Sequence, residues 1–451
     1  MIVQLKPADA ATFIIYKQLL FTGFLLNPIF ESLFIATTSM KNTLIINIKL
    51  LVNTRTETHV LRGAQLSKLP SIENAFLLIQ DGLIKHYGSM QQLATYNLQL
   101  TTVDAYGATV LPCWCDSHTH LVFAASREEE FVDKIKGKTY AEIAAKGGGI
   151  LNSASKLNEA SENELYEKAL VRLHELIQLG TGAIEIKSGY GLSVESELKM
   201  LRVIKRLKDV SPIPVKATFL GAHAYPEKYK NDHAGYIKMI IEEMLPNIAK
   251  ENLADYIDVF CEQGFFSVEE MVGICTAGAQ HGLKPKLHVN QLNSIGGIAA
   301  GIALNAISLD HLETMNDEDI NALSIATTIG TLLPSAAFFL RMQYQPARAL
   351  IDAGCAIALA SDFNPGSSPS GNMNFVISLA CIQMKMLPEE AINAATLNGA
   401  YAMELGDTVG SITVGKKANL IFTKPISSLA YLPYVFGNNL IDRVMINGVF
   451  Q

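Results

Sequence analysis

Residues Leu111–Phe131 read LPCWCDSHTHLVFAASREEEF, and the interpretation of this stretch decides that of the whole chain. An apolar run and a proline lead into His118 and His120, two positions apart. Side chains at i and i+2 of a strand leave the backbone on the same side, so both imidazoles can approach one cation while Thr119 faces the other way. An HxH pair alone is weak evidence, because such pairs arise by chance and a lone strand histidine is more often a hydrogen-bonded structural residue. Its weight comes from what lies downstream.

Downstream, short apolar runs recur and each ends in polar residues. The first ends at His118–His120. The second, Gly182–Lys187, runs into SGYG with Tyr190, and the third, Val215–Leu220, into Gly221, Ala222 and His223. The fourth, Tyr256–Cys261, ends at Glu262, and the fifth, Pro285–Leu287, at His288, Val289, Asn290 and Gln291. The sixth, Ala306–Leu309, ends at Asp310 and His311; the seventh, Thr328–Leu333, at Pro334; the eighth, Ala356–Ala360, at Ser361, Asp362, Phe363 and Asn364. Helical periods separate them, among them Glu162–Leu179, Glu195–Lys208, Val268–His281 and Pro346–Ala353. Alternating strand and helix patterns predict parallel βα units. Eight of them predict a (β/α)8 TIM-like barrel, whose chemistry sits at the carboxyl ends of the strands.

Four of these strand ends carry histidine and one carries Asp362, in a chain with 10 histidines. Packing alone does not explain that distribution. Zinc or iron needs about three protein nitrogens or oxygens and an open position for water, and His118, His120, His288 and Asp362 supply such a set. A cation there lowers the pKa of water to roughly 7.

Either side of the barrel the pattern changes. From Leu44 to about Val110 apolar runs are broken by polar and glycine turns, with Asp81-Gly82 a hairpin turn. Similar runs return over Gly410–Gln451. The expected organisation is a small β-sandwich made from both chain ends (residues 40–110 and 405–451) around a barrel at 111–404. Residues 1–39 are read as an extension without structure of its own, Met40 being the expected natural start. Ala11–Ile35 is apolar, but Lys17, Asn27, Pro28 and Glu31 interrupt it, so it lacks the roughly 20 apolar residues of a membrane span. A formal net charge of −7 without any Lys/Arg block argues against nucleic acid and points to a small soluble substrate. Six scattered cysteines fit the reduced thiols of a cytoplasmic protein, and the Cys113/Cys115 pair, lacking CxxC spacing, reads as strand packing.

Taken in order, HTHLVFA, SREEEF, EIKSGYGL, TFLGAHA, DVFCEQGFF, KLHVNQ, LDHL and ALASDFNPGS resemble the imidazolonepropionases, amidohydrolases of histidine degradation. The resemblance runs from about Asn42 to the C-terminus. It implies hydrolysis of the cyclic amide of 4-imidazolone-5-propanoate to N-formimidoyl-L-glutamate by one divalent metal ion, Zn2+ or iron (Fe2+ or Fe3+), in a homodimer. It implies His118, His120, His288 and Asp362 as ligands, and Arg127 as the group that holds the substrate carboxylate. Tyr140, Tyr190, His223, Asn364, Gly366 and Ser367 are implied in substrate binding. His311 fits a histidine that polarises the carbonyl or shuttles a proton, and Asp362 accepts the proton of the attacking water. Gln291 stands where some relatives have Glu; an amide has no usable proton affinity near neutrality, so it orients the substrate ring.

Competing readings remain open in the sequence. Arg127 could be a surface residue paired with Glu128 or Glu129. Hydantoinases and dihydroorotases hold two metals through a carboxylated lysine on strand four, whereas here the candidate, Lys187, falls on strand two. A purine or pyrimidine aminohydrolase would keep the ligands but has no need of Arg127, and a non-catalytic barrel would have no need of the ligands. Gly147–Gly149 precedes no GK[ST] and is not a phosphate loop. Ser188 lacks the GxSxG context of a nucleophile. Tyr225–Asn247 reads as a lid or as a solvated surface helix.

Overall fold

The structure, a computed structural model, describes residues 42–93, 100–138, 142 and 148–451. The extension and Tyr140 therefore lie outside the described residues.

Eight parallel strands follow one another round a barrel in sequence order: β1 (Trp114–Asp116), β2 (Thr181–Lys187), β3 (Val215–Ala222), β4 (Tyr256–Cys261), β5 (Lys284–Val289), β6 (Ser308–His311), β7 (Ile329–Leu332) and β8 (Ile357–Leu359). Every residue of β2, β4 and β6 is buried, because helices cover one face and barrel side chains the other, which is why these strands read as apolar runs rather than alternations. Register aligns His288 with Asp310 and Val289 with His311. Beyond the formal ends of β1 and β8 the seam closes through His118–His120. Asp362 N donates to His118 O (3.0 Å), His120 N donates to Phe363 O (2.8 Å), and Thr119 bridges to Phe363. The HTH segment thus lies at the end of the first strand, as the sequence reading has it, and there also forms the joint to the last strand.

The helices start where their sequences provide caps. Ser161 Oγ accepts Glu164 N (3.1 Å) at the head of Glu162–Gln178, and Ser267 with Glu270 forms a capping box for Val268–Gln280. Glu162–Gln178 buries Leu165, Ala169, Leu173, Leu176 and Ile177 against the barrel, a stripe at helical spacing. The segment read as a lid or surface helix is a surface helix, with His233, Lys238, Glu242 and Glu243 exposed and Tyr236, Ile240 and Met244 packed inward. It breaks into His233–Met239, a wide turn at Ile240–Met244 and Leu245–Glu251, and the wholly buried Tyr236 donates its hydroxyl to Gly221 O at the end of β3 (2.8 Å).

Strands from both chain ends form a second eight-stranded sheet. Thr109–Pro112 joins them: it pairs parallel with Thr43–Val52 and antiparallel with Leu420–Thr423. Asp81 (φ 52°) and Gly82 (φ 77°) turn Ser71–Gln80 into Leu83–Ser89, the two positive φ values that a tight hairpin needs. Ile45, Ile48, Leu77, Val110, Leu420, Phe422 and Met445 share one apolar cluster, so the sheet curls over a core of its own. No described helix is long and apolar enough to cross a membrane.

Candidate active site

The carboxyl ends of the strands converge on a cluster of imidazoles. Ring centroids of His118 and His288 lie 4.5 Å apart, of His118 and His120 5.3 Å, of His120 and His288 5.5 Å, and of His288 and His311 5.1 Å. Asp362 Oδ1 is 3.5 Å from His118 Nε2 and 3.6 Å from His120 Nε2. His118, His120 and Asp362 present ligand atoms close enough to share a cation, and so do His118, His288 and His311. Positive φ at His311 (89°) and Asp362 (53°) places these two side chains by backbone conformations that L residues seldom adopt.

Two carboxylates orient the histidines. Asp310 Oδ2 lies 2.7 Å from His118 Nδ1, and Asp258 Oδ2 2.7 Å from His288 Nδ1. Each Nδ1 is thereby committed and each Nε2 lone pair is left to face the cluster, the arrangement by which metal-binding imidazoles are fixed. His118 Nε2 is buried with no hydrogen-bond partner among the described residues; an acceptor left so costs roughly 1–3 kcal/mol, which a bound cation would offset. Burial, with the neighbouring cations and imidazoles, holds His118, His120 and His288 far below the ordinary histidine range, so all three rings are neutral. The donors fit a metal ion.

The remaining titratable groups differ. Burial pushes Asp362 up to about 6, although His311, Asn364 and Ser367 favour its anion. In His311 burial opposes the charged form, but the Glu313 carboxylate (3.4 Å) overcomes it and raises the pKa. Burial holds His223 down at about 4; its Nδ1 donates to Gly189 O (3.0 Å), and its ring stacks on His120 at 5.4 Å.

Arg127 lies close to this cluster, on the far side of Tyr190, whose ring is 5.8 Å from that of His120. Its Nε donates to Ser153 Oγ (2.8 Å), its guanidinium carbon is 6.0 Å from the Tyr190 ring centre, and a Cβ on Gly366 would come within 2.6 Å of Nη1. No described carboxylate pairs with it, and Glu128 bonds to Ser126 instead. Tyr190 is held by Glu197, whose carboxylate accepts Gly189, Gly191 and Leu192 N–H at 3.0, 2.7 and 3.0 Å. Gln291 is buried beside the cluster-bearing end of β5. Asn364 and Ser367 look inward: Asn364 Nδ2 donates to Asp362 O and to Ser367 Oγ (both 2.7 Å), and Ser367 Oγ donates to Asp362 Oδ2 (3.2 Å). Their side chains brace Asp362.

Sequence reading missed the supporting shell. Asp258, Glu313, Gln345, Glu185 and Lys286 were given no role, yet Gln345 Nε2 donates to Glu313 Oε1 (2.9 Å) and the others form a buried ionic layer. A signal existed. Glu185 with Lys187, and Lys286 with His288, are polar pairs at period two inside runs otherwise apolar, and such residues face the barrel axis. Lys187 itself pairs with Glu185 and Asp258 at 2.7 and 2.9 Å, which raises its pKa against the opposing effect of burial. It is an ammonium on β2, without the free amine a carboxylated lysine requires.

Residues 109–450 match the amidohydrolase family. An imidazolonepropionase of Flavobacterium johnsoniae is 61% identical over 407 residues, covering 90% of this chain and 99% of that protein. One from Clostridium tetani is 44% identical over 388 residues, covering 86% and 92%. Among solved structures, Escherichia coli guanine deaminase superposes with a TM-score of 0.66 at 13% identity, covering 92% of this chain and 99% of that one. A Xanthomonas campestris adenosine deaminase with bound zinc gives 0.64 at 16%, covering 91% and 92%. Those two likenesses speak for the fold alone. With the sequence relatives, the ligand cluster and the barrel in agreement, the chain belongs to the imidazolonepropionase family of the amidohydrolases.

Proposed function

We propose that this chain hydrolyses the ring amide of 4-imidazolone-5-propanoate to N-formimidoyl-L-glutamate, with one Zn2+ or iron ion (Fe2+ or Fe3+) held by His118, His120, His288 and Asp362. The observation that carries the reading is the Arg127 guanidinium, free of any described carboxylate and beside Tyr190, whose ring neighbours that of His120. A propanoate is the anion such a fork receives.

An ion held there would supply Lewis acidity, lowering the pKa of water to about 7 and polarising the ring carbonyl. The chain's own groups do the rest. Arg127 grips the carboxylate beside Tyr190, and the resemblance adds Tyr140 to the substrate-binding groups. His223, neutral and with Nδ1 committed, offers Nε2 to the ring, and Gln291 orients the ring from the other side. Asp362 takes a proton from the attacking water as its oxygen joins the carbonyl carbon. His311, kept basic by Glu313, donates to the carbonyl oxygen. As the carbon–nitrogen bond breaks, Asp362 returns its proton to the ring nitrogen and His311 takes its proton back from the oxygen as the carbonyl re-forms. The Asn364–Gly366–Ser367 loop holds Asp362 in place and borders the propanoate.

Offering guanine, cytosine and imidazolonepropanoate separately tests this. Only the last should disappear, with formimidoylglutamate appearing in equal amount; turnover of either base in its place would refute the assignment. All six cysteines are free thiols, in keeping with a cytoplasmic enzyme, and a homodimer is the expected assembly, to be read by analytical ultracentrifugation.

A further inference from the structure

Five charged side chains fill the barrel beside the histidines, and all are wholly buried: Glu185 and Lys187 on β2, Asp258 on β4, Lys286 on β5 and Asp310 on β6. Asp258 and Asp310 are the carboxylates that hold His288 and His118. Lys187 Nζ lies 2.9 Å from Asp258 Oδ2 and 3.7 Å from Asp310 Oδ2, and these are the same two oxygens that meet the imidazole Nδ1 atoms. Side chains from alternate strands share a layer inside such a barrel, so a lysine on β2 reaches both β4 and β6.

We propose that Lys187 is a positioning residue of the metal centre: its one ammonium bridges Asp258 and Asp310 and thereby fixes the orientation of His288 and His118 together. Two carboxylates in a dry interior repel each other, and without a cation between them they would move apart. That movement releases an imidazole from its oxygen. The bridge also shares each carboxylate between an ammonium and an imidazole N–H, which limits how strongly it draws the ring proton.

The proposal rests on the reading that the cluster holds a metal, and its test separates the two. Zinc affinity is measured by chelator competition on metal-stripped protein, alongside kcat and KM. Three carboxylates and two ammoniums give the layer a net charge of −1. Lys187→Met combined with Glu185→Gln removes one of each and leaves −1. This variant should fold, bind zinc about 10–100-fold more weakly and lose kcat, with KM within about twofold since Arg127 is untouched. Lys286→Met is the control. Lys286 bonds to Glu185, Ser308 and the Ala402 carbonyl; it meets Asp310 only through Ser308 and makes no ion pair with Asp258 among the described residues, so its variant should lose clearly less zinc affinity than the double variant. Zinc binding within about threefold of wild type in the double variant overturns the proposal. So does an equal loss in Lys286→Met, and so does failure of the charge-conserving variant to fold, which would make Lys187 a member of the core. A wild-type protein that binds no zinc or iron would remove the functional reading instead.

Discussion

Replacing Arg127 by alanine tests the substrate end of the site without touching the metal end. One of the guanidinium's three nitrogens, Nε, is committed to Ser153; the two terminal nitrogens are left for a carboxylate. A charge-assisted pair of this kind contributes about 1.5–3 kcal/mol. At roughly 1.4 kcal/mol per decade, its loss raises KM by about tenfold to about 150-fold. Because the carboxylate sits away from the bond that breaks, kcat should change by no more than a few-fold, and zinc content should not change. Steady-state kinetics with imidazolonepropanoate and with an analogue whose propanoate is an uncharged amide completes the cycle. The amide should bind wild type weakly and be nearly indifferent to Arg127→Ala. An unchanged KM, or an equal loss on the amide analogue, would remove Arg127 from the carboxylate site.

Further tests probe the same reasoning elsewhere. His223 stays neutral in the fold down to about 4 while an unfolded histidine protonates near 6.5. As pH falls from 6.5 to 4 only the unfolded chain gains that proton, so stability drops by about 3 kcal/mol, and above 6.5 there is no difference. The unfolding free energy of metal-free wild type, from urea titrations, should fall by that amount relative to His223→Asn between pH 7.5 and 4; parallel curves would contradict it. In Gly366→Ala the new methyl meets the far end of Arg127, so KM should rise several-fold with stability within about 0.5 kcal/mol of wild type; a large fall in the urea midpoint would show that the loop, not Arg127, gives way. Glu197→Gln replaces one accepting oxygen with a donor opposite the N–H groups of Gly189, Gly191 and Leu192. It should cost about 1–3 kcal/mol in urea unfolding and raise KM through Tyr190, and unaltered kinetics would detach that loop from the substrate.

Reading along the chain succeeds where the cause is local. β5 and its His288 are visible because a parallel strand buried on both faces must be apolar, and a histidine at its end interrupts the run. Glu162–Gln178 is visible because Ser161 and the Leu165–Leu173 spacing are both within a few turns of each other. Asn364 and Ser367 show the limit: their motif marks the loop, but whether they face substrate or brace Asp362 depends on one local fold of the turn, and the hydrogen bonds favour the brace.

Local pattern thus determined eight βα units, two strand-rich ends and the side chains able to hold a cation. Tertiary structure alone decided that Asp310 serves His118 across 192 residues of chain, that Asp258 serves His288, that one lysine touches both acids, and that the HTH segment closes the barrel against Phe363. The reason is geometric. Periodicity is a property of neighbouring residues, whereas which side chains meet across a barrel follows from the tilt and stagger of all eight strands at once, a quantity no single segment contains.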